Sequence, residues 1–286
     1  MALVYLNGKY LPQDEACVPV LDRGFIFGDG VYEVIVAYGG RPFRFAHHMQ
    51  RLDNSLTAVH IANPMSEEAW HEVLLPLLEQ FPGQDQTVYL QVTRGVAKRD
   101  HVIPDKVVPT VFAMSNPLPV PSPHILSHGI SVVSLVDTRW HNCHIKAISL
   151  LPNILLRHEA EQQGASEAIL IRNGLVSEGS ASNVFIVSEG RLLTPPKGPT
   201  LLPGITRDLV LELSRSADID CAEADISEAQ LLSAEEVMVS STMKELFAAT
   251  KLNGKAVGSG MPGPMWRRLY DLFQDYKETL RRADNS

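Results

Sequence analysis

Residues 116–123 read NPLPVPSP, and four prolines in eight positions interrupt whatever precedes them. Proline has no amide hydrogen and fixes φ at about −65°, so such a run suits neither a helix interior nor a central strand. What remains is an extended, fairly stiff connector. At 286 residues the chain is long for one hydrophobic core and comfortable for two. The run therefore predicts a smaller N-terminal domain over 1–115, a linker over 116–123 and a larger C-terminal domain over 124–286.

Ahead of the connector, hairpins dominate. Asn7-Gly8 separates strand-like 4–6 from 9–11, and Gly39-Gly40 separates 31–38 from 41–45. Both pairs supply the positive φ that two-residue turns demand. Helices are predicted over 46–59 and from a Ser66 N-cap to about Gln80, then strands over 87–93 and 107–114. Behind the connector, strands are predicted at 130–136, 167–172, 175–177, 184–187, 191–193 and 237–240. Helices are predicted over 151–163, from near Thr206, and over 264–281, where Met265, Leu269, Leu272, Phe273 and Tyr276 form a core-facing stripe. No regular strand–helix–strand alternation appears, so the expected class is α+β rather than a doubly wound sheet. FGDG at 27–30 and EGSAS at 178–182 match neither the dinucleotide fingerprint nor the P-loop.

Charge excludes some partners. Acidic residues outnumber basic ones by 33 to 25, giving a net charge of −8, and no Lys/Arg-rich run is visible. No nucleic-acid partner is expected, although one Arg and a helix N-terminus can still hold a small phosphate. Cys17, Cys143 and Cys221 are odd in number and far apart, the first residues carry no basic-then-apolar leader, and no apolar run approaches about 20 residues. A cytoplasmic protein without membrane contact is expected.

Several residues could carry chemistry. Lys146, in CHIKAISLLPN, has apolar neighbours that would desolvate its amine and favour the neutral, nucleophilic form; a lysine snorkelling from a strand end is the plainer alternative. Glu178, in LVSEGSASNVF, ends a strand and would need a cationic or N–H partner if buried, or simply faces water at a turn. In LLPGITRDLV, Ile205 and Thr206 open a helix after the Pro203-Gly204 turn, which makes a phosphate cup or an ordinary N-cap. Ser240, Ser241 and Thr242 add hydroxyls to such a cup or close a strand. Arg51 lies on the first long helix, where it could bind a phosphate or pair with a surface carboxylate. Arg99 and His101, two apart in TRGVAKRDH, share a side if extended and suit a carboxylate, or belong to a polar loop. His141, Cys143 and His144 cluster without a second ligand pair at zinc spacing, so no metal site is expected.

The order of these pieces is more telling than any one of them. DRGFIFGDGVYEV at 22–34, HMQRL at 48–52, IKAISLLPNILLRHEA at 145–160, EGSASNVF at 178–185, LPGITRD at 202–208 and SST at 240–242 resemble the fold-type IV pyridoxal-phosphate enzymes. That family holds D-amino acid aminotransferases, branched-chain aminotransferases and aminodeoxychorismate lyases. The resemblance implies a smaller N-terminal α/β domain, a larger C-terminal domain of barrel-like β-structure and a pyridoxal 5′-phosphate site between them. It gives Lys146 the Schiff base and the proton shuttle, and Glu178 the pyridine nitrogen. Arg51, Ile205, Thr206 and Thr242 would hold the phosphate, with Ser241 nearby and Leu202 packed on the ring.

Within the family, TRGxxxRxH is similar to the D-amino acid aminotransferases. There Arg and His, here Arg99 and His101, hold the substrate carboxylate with the Tyr of GDGVYE, here Tyr32. That loop reaches the site from the other subunit, which implies a homodimer working on a D-amino acid and a 2-oxo acid such as 2-oxoglutarate or pyruvate. A branched-chain L-amino acid aminotransferase or a lyase of the family is the neighbouring alternative, and a catalytically silent phosphate-binding protein the non-enzymatic one. The chain departs from common family residues at Ala181, Ala147 and Ser149.

Overall fold

A computed structural model describes residues 2–282. The chain divides into two compact units, one running to Leu118 and including Ile145–Leu150, the other made of Pro119–His144 and Leu151–Arg282. The expected division at the proline run put the lysine segment in the C-terminal part. Segment 145–150 groups with the first unit instead, because Ala147 pairs with Val31 and Ile145 packs on the first core. Residues 283–286 of the expected C-terminal domain lie outside the described residues.

The first unit is built on six strands, β1 (Leu3–Leu6), β2 (Lys9–Pro12), β3 (Gly30–Tyr38), β4 (Arg41–Pro42), β5 (Gln86–Thr93) and β6 (Thr110–Pro117). They lie in the order β2-β1-β6-β5-β3-β4, antiparallel throughout. Three α-helices accompany them among the described residues: α1 (Arg23–Phe27), α2 (Phe45–Ala58) and α3 (Glu67–Leu78), the last capped by Ser66 as predicted. Side chains alternate along each strand. Ile35, Val88 and Leu90 therefore share one face, where Leu52, Leu56, Trp70, Leu74 and Leu77 cover them, all fully buried. Each such leucine contributes roughly 1.5–3 kcal/mol. The opposite face carries the half-buried Tyr32, Val34, Tyr89, Gln91 and Phe112.

The second unit holds β7 (Ile130–Val136), β8 (Glu167–Arg172), β9 (Leu175–Gly179), β10 (Asn183–Ser188), β11 (Arg191–Thr194), β12 (Cys221–Glu223), β13 (Glu236–Ser241), β14 (Glu245–Leu252) and β15 (Lys255–Ala256). Its helices are α4 (Pro123–His128), α5 (Leu151–Gln162), α6 (Ile205–Ser216), α7 (Glu228–Leu232) and α8 (Pro264–Arg282). The sheet runs β12-β11-β10-β13-β14-β7-β8-β9, with β15 on β14, and curls into a half barrel. Pairs β11–β12, β14–β7 and β7–β8 are parallel and the rest antiparallel, so the class is α+β as expected. Both faces are covered: Val184, Ile186 and Val237 meet Ile226 and Leu231, while Phe185, Val187 and Met238 meet α6 and α8 through Val210, Leu211, Trp266 and Leu269. Burial on both sides explains why β8 and β10 read as unbroken apolar runs.

Candidate active site

Lys146 is held by main chain on both sides. The Tyr32 N–H donates to the Lys146 carbonyl at 2.9 Å, and the Ile148 N–H donates to Gly30 at 3.1 Å, so the segment adds itself to the end of β3. The Lys146 N–H donates to Ser55 Oγ on α2 at 3.2 Å. Gly30 is explained by the neighbouring strand β5, since a Cβ there would lie 2.7 Å from the Val92 carbonyl and 2.9 Å from Thr93 Cα. Strand alternation turns Tyr32 to the half-buried face, and Lys146 Nζ stands 4.2 Å from its ring centroid. Ser149, a departure from common family residues, donates to the Gly28 carbonyl at 2.9 Å and ties the segment to the end of α1.

On the other face of β3 lies a buried charge cluster that sequence reasoning missed. Arg51 donates from Nε to Glu33 Oε2 at 2.9 Å and from Nη2 to Oε1 at 2.6 Å, and His48 Nδ1 meets Oε1 at 3.0 Å. Burial alone would raise the Glu33 carboxyl, but the Arg51 charge and the His48 contact outweigh it and hold the carboxyl far below its ordinary range. Burial pushes His48 down, so it is a neutral imidazole near pH 7. An ionised carboxylate only accepts, so Nδ1 carries the hydrogen. Among the described residues, His48 Nε2 is buried without a partner. A signal was present: Glu33 shares strand parity with Val31 and Ile35, which places a carboxylate inward, and His48 and Arg51 are three apart on one helix face.

Glu178 sits near the end of β9 in the second unit. Its Oε1 accepts from Arg139 Nη1 at 2.5 Å, and its Oε2 from the Leu202 N–H at 3.0 Å and from Asn183 Nδ2 at 3.4 Å. Burial lifts its carboxyl to about 7 against those donors, so the group sits close to the balance between acid and carboxylate at neutral pH. Arg139 is fixed by Asp137, to which Arg172 and the Ser177 hydroxyl also donate. A second missed cluster backs the small-residue turn: Glu167 is fully buried and accepts from Ser180, Ser182 and Lys244.

Beside Glu178, the chain enters α6. Gly204 is its N-cap and supplies no side-chain acceptor to the first-turn N–H groups. A side chain there would collide with Asn183 Oδ1. Ile205 and Thr206 are buried at this N-terminus, where amide dipoles favour an anion. Asn183 pairs with Ser240 across β10 and β13, and the buried Ser240 hydroxyl lacks a partner among the described residues. Ser241 ends β13, its hydroxyl accepting from the Lys244 N–H at 3.2 Å, and Thr242 follows in the turn. Glu178, Leu202, Ile205 and Thr206 are thus neighbours, with Ser241 and Thr242 just beyond Ser240.

Arg99 and His101 occupy the irregular stretch between β5 and β6, both exposed. Both lie against one ring: the Arg99 guanidinium carbon is 5.7 Å and the His101 ring 5.5 Å from the Phe27 centroid. Among the described residues neither makes a hydrogen bond or ion pair.

The chemistry of these residues fits pyridoxal 5′-phosphate: an amine at Lys146 in the first unit and, in the second, a buried carboxylate at Glu178 and a helix N-terminus near the unpartnered Ser240 hydroxyl. The family model described as amino-transferase class IV matches residues 30–252, and the chain belongs to that family of pyridoxal-phosphate enzymes. It is 37% identical to the D-alanine aminotransferase of Bacillus licheniformis, over 95% of this chain and 96% of that protein. It is 36% identical to that of Staphylococcus haemolyticus, over 98% and 99%. Among solved structures it is similar to an Escherichia coli branched-chain amino acid aminotransferase, at a TM-score of 0.91 and 27% identity over 96% and 93% of the two chains. A branched-chain amino acid aminotransferase of Thermoproteus uzoniensis, solved with norvaline, matches at a TM-score of 0.89 and 25% identity over 98% and 97%.

Proposed function

We propose that this chain transfers the amino group of a D-amino acid to a 2-oxo acid such as 2-oxoglutarate or pyruvate, in the cytosol and as a homodimer. The observation that carries the reading is the Arg99–His101 pair, unpartnered and seated on one aromatic ring, which suits the carboxylate of a small amino acid. The full-length similarity to D-alanine aminotransferases supports it. The three cysteines are free, which fits a reducing compartment.

When bound, pyridoxal 5′-phosphate supplies the aldehyde that takes the amino group and the ring that draws electrons from the substrate Cα. Lys146 Nζ would anchor the cofactor, and as a free amine it would take the proton from the substrate Cα and return one. Glu178 would pair with the ring nitrogen and share a proton with it, its carboxyl lifted by burial to about 7. The α6 N-terminus with Ile205 and Thr206, Ser241 and Thr242 in the second unit and Arg51 in the first would hold the phosphate, and Leu202 would pack on the ring. The two bonds to Glu33 fix the guanidinium plane of Arg51. Tyr32, Arg99 and His101 hold the substrate.

A donor screen tests this. D- and L-alanine, D- and L-glutamate, L-leucine and L-valine are each offered with 2-oxoglutarate and pyruvate, and the oxo-acid products identified. D-Alanine or D-glutamate should be turned over far faster than its L-isomer. Preference for L-leucine or L-valine would move the enzyme to the branched-chain activity of its structural neighbours.

A further inference from the structure

The stretch 94–109 has no strand or helix beyond an isolated bridge, yet it must present two donors in a fixed relation. A trap on mobile chain loses affinity to ordering, so something has to hold it. We propose that Arg23 is the positioning residue for the carboxylate trap, gripping the main chain between Arg99 and His101, with Phe27 as the platform beneath both side chains. The proposal rests on the D-amino acid activity argued above.

The contacts run in one direction. Residues 21–23 pair with the start of the stretch: Asp22 bridges Val96, the Arg23 N–H donates to Gly95 at 2.9 Å, and the Ala97 N–H donates to Leu21 at 3.3 Å. The Arg23 side chain then reaches past the paired part. Its Nη1 donates to the carbonyl of Asp100 at 2.6 Å and to that of Val102 at 3.5 Å. Asp100 is the residue between the two trap donors, so this bond fixes the peptide that sets their spacing.

Arg23 can do this because it is itself fixed. It is 5% exposed, its Nε donates to Asp29 Oδ2 at 2.7 Å, and its guanidinium lies 4.9 Å from the Phe27 centroid. Arg94 holds Asp29 with two bonds of 2.8 and 2.9 Å and donates to the Val59 and His60 carbonyls at the end of α2. The brace thus runs from α2 through Arg94, Asp29 and Arg23 to the trap. A lysine at position 23 would keep the charge but not the fork that serves Asp29 and Asp100 together.

The test is steady-state kinetics on the holoenzyme with wild type, Arg23→Ala, Arg23→Lys, Phe27→Leu, Arg99→Ala and the Arg23→Ala/Arg99→Ala double variant. Arg23→Ala should raise the KM for D-alanine and the inhibition constant of propionate by about tenfold to a hundredfold, the size of one lost charge-assisted contact, with kcat largely kept. Arg23→Lys should behave like Arg23→Ala. Phe27→Leu leaves the ion pairs intact, guards against a variant that merely folds badly, and should move the same two constants. The double variant should lose less than the product of the two single losses, because Arg23 acts through Arg99 and His101 rather than independently of them. Additive losses, a fall in kcat at constant KM, or wild-type constants in Arg23→Lys would each overturn the proposal. If Arg99→Ala raises KM while the Arg23 and Phe27 variants do not, this inference alone fails. If Arg99→Ala leaves KM unchanged, the trap itself is wrong and the positioning role falls with it.

Discussion

Glu178 and Glu33 are both buried carboxylates, and their surroundings drive them in opposite directions. Burial raises Glu178 from its ordinary 4.5 to about 7, so the folded chain binds more protons than the unfolded chain across that window. Its contribution to stability is therefore lost as pH rises from 4.5 to about 7, by about 3 kcal/mol. Glu178→Gln should flatten this slope in denaturant unfolding of the cofactor-free protein, since Asp137 keeps Arg139 paired. In the holoenzyme the same variant should retain cofactor but lose roughly a thousandfold in turnover, equivalent to about 4 kcal/mol, because an amide cannot keep a ring nitrogen protonated. Turnover equal to wild type would remove Glu178 from the mechanism. Glu33 is held low, so its stabilisation is present above the ordinary carboxylate value and disappears as pH falls through and below it. Glu33→Gln leaves Arg51 buried without its counter-charge and should cost about 3–5 kcal/mol near neutral pH, read from the urea midpoint. A midpoint within error of wild type would mean that water or another group compensates Arg51.

Elements with strong periodic or turn signals were legible in the sequence, and those with misleading composition were not. The hairpins at Asn7-Gly8, Gly39-Gly40, Asn173-Gly174 and Glu189-Gly190 form where dipeptides with positive φ stand between apolar runs. The strand 245–252 went unseen because ELFAATKL is rich in good helix formers; its place between β13 and β7 overrides local propensity. The proline run is shorter as a linker than its composition suggested. Pro117 closes β6 and Pro123 opens α4 behind a Ser122 cap, the two edge positions where a missing N–H costs little. Helix α8 depends on a long-range cap that no local pattern announces. Glu236 accepts from the Met265 and Trp266 N–H groups, both at 2.8 Å, and Gly263 leaves room for that carboxylate, which a Cβ there would displace. Glu236→Ala should lower stability by about 1–2 kcal/mol in denaturant titration without altering the cofactor spectrum. An unchanged midpoint would show that the α8 stripe alone holds the helix.

At the scale of the whole molecule, the residues that would touch cofactor or substrate stood out in the sequence, while those that hold them did not. Lys146, Glu178, Thr206 and Arg99 lie in short motifs, whereas the bonds Glu33–Arg51, Arg139–Glu178, Glu167–Lys244 and Arg23–Asp100 join residues 18 to 77 positions apart. Such pairings exist only once the chain has folded, so spacing cannot announce them. The same separation of roles can be put to a test on the assembled enzyme. If the Arg99–His101 trap serves the partner subunit's site in a homodimer, Lys146→Ala and Arg99→Ala lesions are complementary. A mixed dimer then has one site with a Lys146 from the Arg99→Ala chain and an Arg99 from the Lys146→Ala chain. Random mixing of two chains makes half of the dimers mixed, and one of their two sites is whole, so co-expressed or co-refolded variants should recover about a quarter of wild-type D-alanine turnover. Were the trap to serve its own chain, every site in a mixed dimer would lack either the amine or the guanidinium, and turnover would stay at the level of the separate variants. Borohydride reduction of the active mixture followed by peptide mapping should place the covalent label on Lys146 of the Arg99→Ala chains. Equal activity of mixed and unmixed preparations would confine the trap to its own subunit and leave the dimer with no part in recognising the substrate.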